Sequence, residues 1–183
     1  MSAGALGVLA KDCLDIGVFT NSLEPMLEFW QETIGLTFDH MLPVGGGVRQ
    51  HRHDLEGGVF KLNHARETLP SNPVRATGAS ADVAQNQQAA GYLRIIIARH
   101  GLTVPQPFSD PDGNRVLLVP PGWNGIEQWA VEVATGSIEE FAAFYELGLG
   151  LPKFESADYA CAVRCGRSVI LGCVDEALQD ESV

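Results

Sequence analysis

The chain has 183 residues, 45% of them apolar and 19% charged, which suits one large or two small soluble globular domains with a packed core. A formal charge of −11 argues against nucleic acid as the main partner, because phosphate binding needs a basic face. Four cysteines make no disulfide framework and no apolar run approaches membrane-spanning length, so a cytoplasmic protein with reduced thiols and no membrane partner is expected.

In chain order, residues 1–12 read as a flexible leader. Asp15 to Thr20 is β-branched and aromatic, the mark of a strand. Asn21 or Ser22 then caps a helix, with Glu24 placed as in a capping box and Pro25 within the first turn, where its missing N–H costs little. Leu23, Leu27, Trp30 and Ile34 predict one buried stripe, and Gly35 closes the helix. Strands are expected over Thr37 to Val44, Val48 to His53 and Val59 to His64, with Gly45-Gly46-Gly47 and Glu56-Gly57-Gly58 as turns. Residues 66–90 are polar and lack apolar periodicity, which predicts a mobile connector. Strand signals return at Tyr92 to Ala98 and Arg115 to Val119 before Pro120-Pro121-Gly122. The next stretch opens with a strand at Gln128 to Val133 and a helix from Ser137, with Ser137 and Glu140 as its capping box. Strands follow around Phe154, at Tyr159 to Cys165 and at Ser168 to Cys173, and residues 175–183 form an acidic tail.

The order βαβββ thus occurs twice, and the helices repeat in sequence. Ser22 to Leu36 aligns without a gap on Ser137 to Leu151, sharing Ser22/Ser137, Glu24/Glu139, Phe29/Phe144, Gly35/Gly150 and Leu36/Leu151, while Trp30 matches Tyr145. Duplicated modules follow from such repetition. The expected division is a first half at 13–122, holding a complete module (14–65), the connector and a reduced module (91–122), and a second module at 123–174 that lacks a partner.

A strand, a helix ending in an aromatic pair and Gly-Leu, three more strands, and Asp110-Pro111-Asp112-Gly113-Asn114 leading into an apolar strand together resemble the vicinal oxygen chelate superfamily of glyoxalases, bleomycin-resistance proteins and extradiol dioxygenases. The resemblance implies an α+β fold: paired βαβββ modules forming curved mixed β-sheets, with helices on the convex face and a small-molecule ligand in the concave one. It also implies a divalent metal held by the first and last strands of each module. At those positions this chain has Asp15, Lys61, Leu117 and either Gln128 or Ala130. An ammonium and an alkyl chain do not coordinate a cation. The expectation is therefore no metal or other cofactor, with Asp15 and Lys61 either paired across the vacated position or pointing to solvent at a strand end.

Four of the five histidines lie between residues 40 and 64. Along one strand Arg49, His51 and His53 share a face, with Gln50 and Arg52 on the other. His51 and His53 stand about 7 Å apart on an extended strand. A five-residue loop, Asp54 to Gly58, sets His51 opposite Lys61 and both histidines in the cavity; a four-residue loop, Leu55 to Gly58, sets them beside Phe60 and Leu62. The first is favoured because it frees Phe60 and Leu62 to pack on the helix. The cluster reads in three ways: a general base among His51, His53 and Asp15, a non-standard divalent metal site from the same three residues, or a polar hairpin of purely structural use. Arg49, Lys61, Asn63 and Gln128 are the candidate ligand-binding residues. The expected function is binding of a small organic molecule without the usual metal. The alternatives are a metal-dependent lyase, isomerase or dioxygenase and a non-catalytic dimeric scaffold. A homodimer is expected to cover the unpartnered module.

Overall fold

The computed structural model describes residues 11, 13–69 and 92–175. Nearly all of the expected leader and most of the connector and acidic tail lie outside them. The elements run β1 (Asp15–Thr20), α1 (Leu23–Glu28), β2 (Phe38–Gly45), β3 (Val48–Leu55), β4 (Gly58–Ala65), β5 (Arg94–Ala98), β6 (Gln106–Ser109) and β7 (Arg115–Val119). The order continues with β8 (Trp129–Thr135), α2 (Ile138–Ala142), β9 (Lys153–Phe154), β10 (Cys161–Cys165) and β11 (Ser168–Val174). β6 is short and carries Pro107, and no alternation announced it. Few helices and two mixed sheets make this an α+β fold.

The strands form a four-stranded sheet, β1-β4-β3-β2, and a seven-stranded sheet, β6-β7-β5-β8-β11-β10-β9. One compact unit holds Asp15–Gly91 with Phe108–Val116; the other holds Met1–Leu14, Tyr92–Pro107 and Leu117–Val183. This departs from a boundary at residue 122. The reduced module joins the second complete module because β5 pairs antiparallel with β8, Ile95 opposite Val131 and Ile97 opposite Trp129, where buried apolar residues meet across the ladder.

The duplication holds bond by bond at a spacing of 115 residues, Ser22 to Ser137. Met26 N and Phe141 N donate to Ser22 O and Ser137 O; Ile34 N and Leu149 N donate to Phe29 O and Phe144 O; Leu36 N and Leu151 N donate to Trp30 O and Tyr145 O. Each α-helix passes into a π-helical stretch, Phe29–Thr33 and Ala143–Gly148, ended by Gly35 (φ 80) and Gly150 (φ 67). The wider turn changes which residues face the sheet. Met26, Trp30 and Ile34 are the buried ones, while Leu23 and Leu27 of the expected stripe are only half-buried. The caps differ. Ser137 Oγ accepts from Glu140 N at 3.2 Å, as half of the expected box. Ser22 makes no side-chain cap, and Asn21 instead spans to the segment after β4 through Ala65 O, Glu67 O and Leu69 N.

The β3–β4 hairpin takes the register that was not favoured. Leu55 pairs with Gly58, His53 with Phe60 and His51 with Leu62. Glu56 (φ 48) and Gly57 (φ 99) form a two-residue turn with both φ values positive, the conformation whose twist suits a tight hairpin. A one-residue slip sends every side chain to the opposite face. His51 and His53 therefore share the helix-facing side with Phe60, whose ring lies 4.0 Å from that of Trp30.

Candidate functional site

The parallel β1–β4 register places Asp15 beside Val59, Gly17 beside Lys61 and Phe19 beside Asn63. Their side chains, with Gln50 and Arg52 from β3, lie on the face turned away from α1, since Ile16, Val18, Phe60 and Leu62 are the buried alternates. On this open face Lys61 Nζ and Asp15 Oδ2 form an ion pair at 2.7 Å, the first of the two arrangements that the sequence left open. Asp15 Oδ1 also accepts the Val59 N–H at 3.1 Å, which holds the carboxylate against the sheet. Asn63 is spent internally: it accepts from Gln50 Nε2 at 2.9 Å and donates to Val18 O and Lys61 O. Gly17 makes that arrangement possible, for a Cβ there would stand 3.2 Å from Asn63 Nδ2.

Arg52 is the least satisfied group on this face. Its guanidinium has five N–H donors. It makes one hydrogen bond, from Nη1 to Gln50 Oε1 at 3.4 Å, and its buried Nε has no partner. Phe19, 51% exposed, adds an aromatic surface beside the amides. The strand alternation already separated Gln50 and Arg52 from the histidines, but the expected loop put them on the wrong side. A two-residue Glu56-Gly57 turn was the signal that would have assigned them here.

The remaining expected residues lie elsewhere. His53 is fully buried, with Nε2 3.1 Å from Gln31 Nε2. Burial, then the neighbouring His51, lowers its pKa and keeps it neutral at physiological pH. His51 is lowered by burial, then by His64 and Arg49. Arg49 pairs across the hairpin with His64 on that same helix-facing side and is exposed. Gln128 belongs to the other unit, where its backbone carbonyl accepts the Ala98 N–H.

In the seven-stranded unit the equivalent face is filled by the chain itself. Ile96, Leu117, Ala130, Val169 and Leu171 form its buried cluster, with Trp123, Phe154 and Tyr159 packed on top. Asn124 ties the covering loops together through Ser156 and Asp158. Gly125 (φ +77) sits so close to Phe154 that a Cβ would come within 2.6 Å of the ring. At the margin, Arg94 donates to Glu132 at 2.7 and 3.1 Å and to Tyr159 Oη at 3.1 Å, and the Cys173 thiol donates to Glu132. Burial first, then Glu132, pushes that thiol up to about 12, so it is not a nucleophile at neutral pH.

The solved structure of glyoxalase I from Zea mays shares this fold, with a TM-score of 0.59 at 15% identity over 85% of this chain. The chain has the glyoxalase I fold. The chain spans 64% of that glyoxalase I chain. Lower similarity links it to TnmS3, an antibiotic binding protein from Streptomyces sp. CB03234 (TM-score 0.37, 18% identity, 58% of this chain and 92% of that one). A mutant of 4-hydroxymandelate synthase from Streptomyces coelicolor is also similar (TM-score 0.46, 13% identity, 91% of this chain and 63% of that one). No family model and no curated protein sequence matches the chain.

The divalent ion that the sequence resemblance implies does not fit the residues at the positions that would hold it. The internal spacing of 115 makes Ala130, not Gln128, the counterpart of Asp15. Ala130 and Leu117 are buried in an apolar cluster, and the Asp15 carboxylate is already engaged by the Lys61 ammonium. No group of three or more His, Cys, Asp or Glu among the described residues is arranged to hold a metal. No helix among them is long and apolar enough to cross a membrane.

Proposed function

We propose that this protein binds a small oxygen-bearing organic molecule on the open face of the four-stranded sheet, without the superfamily's divalent ion. The observation that carries the reading is the Lys61–Asp15 pair at 2.7 Å, which puts a fixed cation and its counter-charge where the resemblance calls for metal ligands. Arg52 supports it, because a guanidinium with unspent donors on a half-buried sheet face suits a carboxylate or carbonyl oxygen. Gln50 and Asn63 hold one another in place beside it, and Phe19 offers an apolar wall. The other unit's equivalent face is occupied by Trp123, Phe154 and Tyr159, which leaves this one for a ligand. None of the four cysteines forms a disulfide, in keeping with a reducing, cytoplasmic setting.

The test pairs elemental analysis with ligand screening. Purified protein is expected to carry no stoichiometric divalent ion, and its melting temperature is expected to be unmoved by chelator. In a screen of small carboxylic acids and carbonyl compounds, ligands that raise the melting temperature are expected to lose at least about tenfold in affinity in Arg52→Met, as the loss of a charge-assisted hydrogen bond implies. One tightly held ion per chain, or ligands indifferent to Arg52→Met, would refute the proposal.

A further inference from the structure

Asp15, Lys61 and Arg52 sit on three adjacent strands and share one sheet face: Asp15 on β1, Lys61 on β4, and Arg52 on β3 directly opposite Lys61. Lys61 Nζ lies 2.7 Å from Asp15 Oδ2, and Asp15 Oδ1 is fixed in turn by the Val59 N–H at 3.1 Å. An amine within hydrogen-bond reach of a carboxylate that a third group orients is the arrangement that activates a nucleophile. The Lys61 side chain is 27% exposed and that of Asp15 19%, so the pair is held by the sheet yet reachable from solvent. The second module shows that the βαβββ frame does not need this trio. Ala130, the counterpart of Asp15, pairs with Val169 as Asp15 pairs with Val59. Two residues further on, Leu171 matches Lys61, and Ala162 opposite Leu171 matches Arg52. Ala130, Leu171 and Ala162 are fully buried in the apolar cluster. The same frame is thus built with three apolar residues, which is the stabler choice where charges have no other use.

We propose that Lys61 forms an imine with the aldehyde or ketone carbonyl of an oxo acid, with Asp15 moving the proton and Arg52 holding the acid's carboxylate. This rests on reading the open face as the ligand site. Asp15 takes one proton from Lys61 Nζ, and the freed lone pair adds to the carbonyl carbon. The carbonyl π pair moves to oxygen, which takes a second proton from nitrogen to give a carbinolamine. Asp15 returns its proton to that hydroxyl, the C–O bond breaks, and water leaves. The product is a protonated imine facing the Asp15 carboxylate, so the charge of the pair is the same before and after and no oxidant, reductant or metal is consumed. A protonated imine withdraws electrons from the neighbouring C–H and C–C bonds, which is the chemistry that lysine amines supply to enzymes. Arg52 selects acids among carbonyl compounds, because its unspent N–H donors suit a carboxylate and it stands across the ladder from Lys61.

The test incubates the full chain with pyruvate, acetoacetate or levulinate, reduces the imine with sodium cyanoborohydride and maps the adduct by peptide mass spectrometry. The chain has three lysines, and the exposed Lys11 and Lys153 serve as internal references. With at least one of the acids, Lys61 is expected to be labelled at least about tenfold faster than either reference, although it is the least exposed of the three. The native chain is also expected to prefer that acid to its methyl ester, a comparison that needs no variant. Asp15→Asn, checked for folding by circular dichroism, is expected to slow labelling of Lys61 by at least about tenfold while the references are unchanged. Arg52→Met is expected to erase the preference for the acid over its ester. Equal labelling of the three lysines overturns the proposal, and so does an excess at Lys61 that a folded Asp15→Asn retains. Acids that raise the melting temperature through Arg52 without labelling Lys61 in excess overturn the imine and leave the binding reading standing. Acids that neither bind nor label overturn the imine as well.

Discussion

Asp110 offers a decisive test of how the Asp110–Asn114 turn is built. Its carboxyl is 4% exposed, and burial, opposed by the hydrogen bonds from Asn114 and raised further by Asp112, lifts its pKa from 3.8 to about 6. The Trp30 indole also favours the ionised form, although its Nε1 makes no hydrogen bond of standard geometry. A folded-state pKa above the unfolded one means that the folded chain holds a proton the unfolded chain has released. Stability from this group is therefore complete below the unfolded value and falls as pH rises from about 3.8 to about 6. The whole shift corresponds to about 3 kcal/mol, of which about 2 kcal/mol falls between pH 4.5 and 7.5. Asp110→Asn removes this titration. It keeps an oxygen for the backbone N–H groups of Asp112 and Asn114 but sets an amide against Asn114 Nδ2, a cost of about 1–2 kcal/mol that does not vary with pH. The variant should therefore gain about 2 kcal/mol relative to the native chain between pH 4.5 and 7.5, or about 1 M in urea midpoint. Urea denaturation followed by circular dichroism at the two pH values reads the difference, and titrations common to both proteins cancel. A difference independent of pH, or one that grows towards acid, would refute the reasoning.

Other outcomes follow from the same geometry. His53 and His51 have lowered pKa values, so their contribution is present above the unfolded value of 6.5 and lost as pH falls below it; His53→Leu should flatten that acid loss in the same urea experiment. Gly125→Ala must place a Cβ 2.6 Å from the Phe154 ring at φ +77, and about 2–4 kcal/mol of thermal stability should be lost, measured by calorimetry. Trp30→Ala should cost about 3–5 kcal/mol, whereas Tyr145→Ala, at the equivalent but more open position, should cost less than half as much by the same measurement. A double-mutant cycle of Asp15→Asn and Lys61→Met should return a coupling of about 1 kcal/mol, reduced by 0.5 M salt, since both side chains retain some exposure.

Much of the architecture was legible in the order of residues, because it rests on local chemistry. The repeat from Ser22 and Ser137, the Gly35 and Gly150 helix ends, the Asp110–Asn114 turn and nearly every strand depend on neighbours a few positions apart. The resemblance left Asp15 and Lys61 either paired across the implied metal position or turned to solvent, and the structure has them paired. Three features needed the tertiary structure. The conformation of Glu56-Gly57 sets the hairpin register, and through it whether the histidines or Gln50 and Arg52 occupy the open face; one residue of slip separates the two, and both satisfy the same polar alternation. The pairing of β5 with β8 decides which modules share a sheet, a choice between distant edges that no local pattern encodes. Trp30 is buried while Tyr145, its counterpart in the repeat, is only half-buried, and only packing separates two positions that the sequence makes equivalent.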